Sequence, residues 1–231
     1  MKNGFTLAEV LITLGIIGIV AAMTLPAVLA SYRKKEIEVR LKKFSSTMQN
    51  AFNFATVDYG PIQNWKYPTK QNDADEINEF MFTYLFPYLQ GIKVCESGDA
   101  KCNQFHENFT GHTSNIMPVY IFSDGSCFTM VIGGSSADMG VATIHYWFDY
   151  NCAGKPNKEN EDIFKFVTRF VNNKGTLFSA GNWRTYEIQD RNTLLEYCKT
   201  SDTGDERGSG SCTRLIEYDG WEIKDDYPWI R

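Results

Sequence analysis

Hydrophobic residues fall along the chain first as a solid block and then as a stripe. From Phe5 to Ala30 the residues read FTLAEVLITLGIIGIVAAMTLPAVLA, with Glu9 as the one charged side chain. A helix needs roughly 20 apolar residues to cross a bilayer core, so residues 5–30 predict a membrane helix. No later segment has this character. Beyond it Ile37, Leu41, Phe44, Met48, Ala51, Phe52 and Ala55 recur in steps of three and four. That spacing draws one stripe on a helix of period 3.6. It predicts an amphipathic continuation over residues 31–60, with Lys34, Arg40, Lys43 and Gln49 facing away. Gly60-Pro61 closes it, since glycine accepts a left-handed cap and proline rarely continues a helix. The two parts make one helix from Phe5 to Asp58, about 80 Å long at 1.5 Å per residue. Pro26 removes a backbone donor inside it and predicts a kink or a locally melted turn.

The pattern then shortens. Residues 61–118 are irregular apart from a helix over Glu76–Leu85, limited by Pro87. From Val119 the period changes to two: VYIF and CFTMVI flank Asp124-Gly125 as a hairpin, and VATIHYWF (Val141–Phe148) and IFKFVTRFV (Ile163–Val171) follow. A turn at Asn173-Lys174-Gly175 leads into Thr176-Leu177-Phe178. Four or more antiparallel strands on an amphipathic helix predict an α+β domain over residues 61–231.

Composition sharpens this picture in three places. A net charge of −5 speaks against a nucleic-acid binder acting through its whole surface, and 14% aromatic content supplies a core. All six cysteines, Cys95, Cys102, Cys127, Cys152, Cys198 and Cys212, follow the apolar block, which suggests disulfides in an oxidising compartment. Local spacing favours Cys95–Cys102 and Cys198–Cys212, leaving Cys127–Cys152. Between the last two cysteines in sequence, Asp202–Ser211 reads as a polar, glycine-rich loop.

The front of the chain is not an ordinary secretory signal, whose apolar stretch is shorter and ends in a small-residue cleavage site. Met1-Lys2-Asn3-Gly4 is short and polar, Phe5 opens the apolar block, and Glu9 lies inside it with no Lys or Arg one turn away. A carboxylate in a membrane helix is costly and usually has a partner. Gly4-Phe5-Thr6-Leu7-Ala8-Glu9-Val10-Leu11 resembles the class III signal sequence of type IV pilins and of the pseudopilins of type II secretion. The likeness is firm over residues 1–57. It is weaker at the far end, where Asp219–Trp221 and Asp226–Trp229 resemble the tails of other pilin-like proteins. The loop between Cys198 and Cys212 resembles the disulfide-bounded loop of many pilins.

The resemblance implies a pilin-like fold and a leader, residues 1–4, cut by a prepilin peptidase between Gly4 and Phe5, with N-methylation at Phe5. It implies that Glu9 guides assembly, that Pro26 kinks the helix, and that the partners are other subunits and an inner-membrane assembly platform. The expected location is a single pass of the inner membrane with a periplasmic or extracellular C-terminal domain, then a pilus or pseudopilus. Arg33, Lys34 and Lys35 alone would place that domain in the cytoplasm; the cysteines and the cleavage motif point the other way. The alternative function is a membrane-anchored periplasmic binding module that never polymerises, which would need neither the Gly4-Phe5 junction nor Glu9.

Enzyme chemistry finds little support. His106, His112 and His145 are the only histidines, and no nucleophile elbow, phosphate loop, dinucleotide fingerprint or HExxH is present. Cys95, Cys102, His106 and His112 lack the short spacing of a zinc knuckle. The oxygen-rich DYNCAGKPNKENED (Asp149–Asp162) is a candidate calcium loop, with Asp149, Asn151 and Asp162 as ligands. The simpler reading is a solvated turn.

Overall fold

The computed structural model describes residues 6–66, 68, 70, 73–96, 99, 102, 105, 109, 117–133, 141–152, 154–171, 174–182, 184–185, 187–200 and 208–230. The chain divides into two units, Met1–Ile37 and Glu38–Arg231. Helix α1 (Leu7–Tyr59) begins in the first and ends in the second. Its helical backbone runs through Pro26 without interruption, so the locally melted turn expected there does not form. It ends where expected, with Gly60 at φ +78°.

In the first unit none of the residues from Thr6 to Ala30 is buried. Leu11, Ile12, Leu14 and Ile17 are each more than 60% exposed. A helix this long and apolar can cross a membrane, and lipid is the environment in which such a surface is stable.

The second unit is α+β. Strands β1 (Lys93–Cys95), β2 (Val119–Ile121), β3 (Cys127–Gly133), β4 (Val141–Asp149), β5 (Ile163–Val171) and β6 (Lys174–Ala180) form one sheet in sequence order. Every neighbouring pair is antiparallel. Alternation sets the register: Phe128 pairs with Phe148 and Phe148 with Phe164, so one face is a field of aromatic rings. Leu41, Phe44, Met48, Phe52 and Ala55 of α1 are buried. Phe44 reaches the centre of that field, with its ring 4.2 Å from Phe148, 5.0 Å from Phe166, 5.3 Å from Phe128 and 5.4 Å from Phe178.

Several elements differ from the expectation. Helix α2 spans Ala74–Phe80, two residues earlier than its periodicity suggests, because Asp73 caps it by accepting the N–H of Glu76. Met81–Leu85 widens into a π turn, and Phe86–Tyr88 tightens into a 3₁₀ turn that includes Pro87 near its start, where no N–H is needed. Asn173 lies outside the described residues, and Lys174 and Gly175 already belong to β6. Helices α3 (Arg191–Lys199) and α4 (Gly208–Tyr218) were not anticipated. Gly208–Ser211, assigned to a loop, forms the first turn of α4; residues 201–207 lie outside the described residues. The cysteines pair as Cys95–Cys102, Cys127–Cys152 and Cys198–Cys212, the last joining α3 to α4.

Candidate functional site

The N-terminal motif begins at the edge of the described chain. Gly4 and Phe5 lie outside it, but Thr6 and Glu9 are placed. Glu9 Oε2 accepts the backbone N–H of Thr6 at 2.8 Å and its hydroxyl at 2.8 Å, while Thr6 Oγ1 accepts the N–H of Glu9 at 3.3 Å. This is a reciprocal capping box, in which each side chain satisfies a backbone donor that the first helical turn leaves without a partner. Glu9 therefore has a local partner in Thr6, although no Lys or Arg lies one turn away. All of the capping atoms belong to Thr6 and Glu9, so a cut between Gly4 and Phe5 leaves them in the chain.

In the second unit, charged groups tie α1 to the loops instead of facing away. Arg40, half-buried, donates from Nη1 to the carbonyls of Asp124 (2.9 Å) and Tyr150 (2.7 Å). Lys43 Nζ reaches Asp124 Oδ2 at 2.7 Å. Burial pushes the Asp124 carboxyl up, but Lys43 and the hydroxyl and N–H of Ser126 outweigh it and hold the group down at about 2. Gln49 is half-buried and lies 3.5 Å from the carbonyl of Phe178. The stripe spacing fixes which residues enter the core, but it does not show which flanking side chains reach back to the sheet.

The tail motifs also find a role. Arg191 holds Asp219 through Nε (2.7 Å) and Nη2 (2.8 Å), and Asp226 through Nη1 (2.8 Å) and Nη2 (2.9 Å). Trp221 stacks on Phe166 with ring centres 6.2 Å apart, and Trp229 Nε1 donates to the carbonyl of Cys198 at 2.9 Å. The N–H of Ile223 donates to the buried Glu38 of α1 at 2.9 Å, and the Tyr227 hydroxyl to the carbonyl of Asn160 at 2.9 Å. Residues 219–230 are thus a strap across α1, α3 and the β4–β5 loop. The aspartates and tryptophans of its two motifs were visible in the sequence; Arg191, the residue that joins the aspartates, carried no signal.

The sequence-predicted metal residues Asp149, Asn151 and Asp162 share the β4–β5 loop. Asp149 and Asp162 are fully buried. Burial first, and then the charge of Asp162, push the Asp149 carboxyl up to about 7 against the opposing N–H bonds of Asn151 and Cys152. Among the described residues no three His, Cys, Asp or Glu side chains gather as metal ligands. A cation in this loop would need amide or backbone oxygens as well. His106 and His112 lie outside the described residues. His145, beside Trp147 on β4, is pushed down to about 4 by burial and then by the charge of Lys165, so it is neutral at pH 7.

Two family models match the chain. The prokaryotic N-terminal methylation motif, the class III signal sequence of type IV pilins and pseudopilins, matches residues 1–25. A family of unknown function (DUF6613) matches residues 27–230. No curated protein and no solved structure matches the chain.

Proposed function

As the chain belongs to this family of unknown function and opens with the N-terminal methylation motif, we propose that it is a filament subunit of a type IV pilus or a secretion pseudopilus. A prepilin peptidase removes Met1–Gly4 and methylates Phe5. The apolar part of α1 then holds the subunit in the inner membrane as a single pass, with the sheet domain outside the cytoplasm. Other subunits and an inner-membrane assembly platform draw it into the filament. The protein acts by assembling, not by catalysing.

The observation that carries this reading is the continuity of the methylation motif with the exposed apolar segment of α1, which up to Ala30 has Glu9 as its one carboxylate. A plain anchor gains only the Thr6 cap from Glu9, which a neutral side chain could supply without bringing a charge into the membrane. Three disulfides among the described cysteines support export, because such bonds persist in oxidising compartments.

Intact-mass measurement on sheared filaments and on membranes tests the proposal. The expected species starts at Phe5, carries about 14 Da for one added methyl group, and appears in the sheared fraction. A chain still starting at Met1 contradicts the processing step. A correctly processed chain confined to membranes contradicts polymerisation and favours the anchored binding module.

A further inference from the structure

A cavity of about 270 Å³ lies between α1, the Tyr88–Gln90 segment and the β2–β3 turn, near the lower end of the range for small-molecule sites. Three aromatic rings, Phe44, Phe122 and Tyr88, form its apolar part. Phe44 and Phe122 meet edge to face with centres 6.0 Å apart. Tyr88 is held in place because its hydroxyl donates to Asp58 and its ring stacks on Phe54 with centres 6.0 Å apart.

The rest of the lining is polar, and the turn sets its geometry. Asp124 Oδ1 accepts the N–H (3.1 Å) and the hydroxyl (2.6 Å) of Ser126, and Oδ2 accepts from Lys43 Nζ at 2.7 Å. Arg40 pins the same turn through the carbonyl of Asp124. These walls are therefore ordered before any ligand arrives, which lowers the cost of binding. An ammonium has three donors and a carboxylate oxygen two acceptor positions. Lys43 and Asp124 Oδ2 thus keep capacity beyond the bond that joins them. Gln90 and Ser123, both exposed, add an amide and a hydroxyl on the open side.

This chemistry narrows the occupant. An anion would meet Asp124, whose carboxyl is held down at about 2 and stays ionised, and a cation would meet the Lys43 ammonium. An apolar side chain would leave most of the lining unpaired. A neutral ring with one apolar face and adjacent hydroxyls suits both halves of the cavity. We propose that it binds one neutral pyranose unit at the end of a glycan. The C–H face of the sugar lies on the aromatic wall, and two neighbouring hydroxyls accept from Lys43 and donate to Asp124. Gln90 serves a further hydroxyl, and the open side beside Ser123 lets the rest of the glycan leave. The cavity lies wholly in the second unit, so the site stands or falls apart from filament assembly.

The test is saturation-transfer NMR on the full chain in a detergent without a sugar headgroup. The probes are the methyl glycosides of glucose, galactose, mannose and N-acetylglucosamine. At least one should bind saturably with a midpoint of about 1–10 mM, with the strongest transfer to the C–H protons of one ring face. Cyclohexanol keeps the ring without the diol and glycerol the diol without the ring; each should bind at least about tenfold more weakly. Lys43→Met removes the donor but keeps the stem, and should weaken the sugar at least about tenfold. Gln90→Ala should weaken it about threefold, and it serves if Lys43→Met does not fold. Lys42→Met, at an exposed position on the same helix, should change nothing. No saturable transfer to any of the four glycosides overturns the proposal, as does undiminished binding in both cavity variants. Cyclohexanol binding as tightly as the best glycoside also overturns it, and would make the cavity a socket for an apolar group.

Discussion

The rings of Phe44 on α1 and Phe148 on β4 stack with centres 4.2 Å apart and planes 14° from parallel. Four further rings surround Phe44, from Phe122, Phe128, Phe166 and Phe178. Phe44→Ala removes the ring on which these strands converge. It should cost about 3–5 kcal/mol, which lowers the melting midpoint by roughly 10 °C. Phe54, 59% exposed on the same helix, is the control, and Phe54→Ala should cost about 1 kcal/mol or less. Circular dichroism melts of the two variants check the contrast; equal losses would mean that Phe44 is not the centre of the core.

Arg191 is expected to control the strap. Its planar guanidinium serves Asp219 and Asp226 together, a geometry that an ammonium group cannot reproduce. Arg191→Lys should therefore cost about 1–3 kcal/mol and free the strap before the domain melts. Limited proteolysis should cut within residues 219–230 sooner in the variant, and Trp229 fluorescence should shift toward the solvent-exposed value. An unchanged cleavage pattern would mean that Trp221, Ile223 and Tyr227 hold the strap without the clamp.

Where local chemistry decides the structure, the sequence was readable. The α1 stripe, its stop at Gly60-Pro61 and the β2–β3 hairpin each follow from spacing or turn residues within one short segment. Strand β1 and helix α4 were not legible, for different reasons. Lys93–Cys95 is a three-residue strand that exists because Val119–Ile121 pairs with it. Gly208–Ser211 is helical despite its glycines because Cys212 is bonded to α3 and Thr213 Oγ1 accepts the N–H of Lys165 at 3.0 Å. Tertiary partners override propensity in both. In the β4–β5 loop the oxygen-bearing residue types could be read, but the full burial of Asp149 and Asp162 could not, because it depends on which N–H groups the loop turns inward.

Asp124 gives a pH dependence with a definite sign. Its folded pKa, about 2, lies below the ordinary 3.8. The Lys43 and Ser126 contacts therefore add stability that is present above about pH 4 and is lost as the pH falls through about 2. Asp124→Asn should melt below the parent protein at pH 7, and the gap should close on acidification toward pH 2. A gap that stayed constant with pH would mean that these contacts act through shape and not through charge.

The last prediction separates two roles that Glu9 combines. As a helix cap it satisfies the N–H of Thr6, and glutamine can do this as well. As a charge it can pair with the ammonium group that cleavage before Phe5 would create, and glutamine cannot. Removing one member of a desolvated ion pair is strongly destabilising, whereas losing a helix cap costs far less. If charge governs assembly, Glu9→Gln and Glu9→Ala should both be inserted and cleaved, yet both should be depleted from sheared filaments. Thr6→Ala, which loses the hydroxyl but keeps the carboxylate, should enter them nearly normally. If capping governs assembly, the order reverses: Glu9→Gln is incorporated and Thr6→Ala is not. Quantifying each variant in sheared and membrane fractions gives the ranking directly. Full incorporation of Glu9→Ala, with no wild-type subunit present, would remove both roles and with them the strongest physical reason for a carboxylate in this helix.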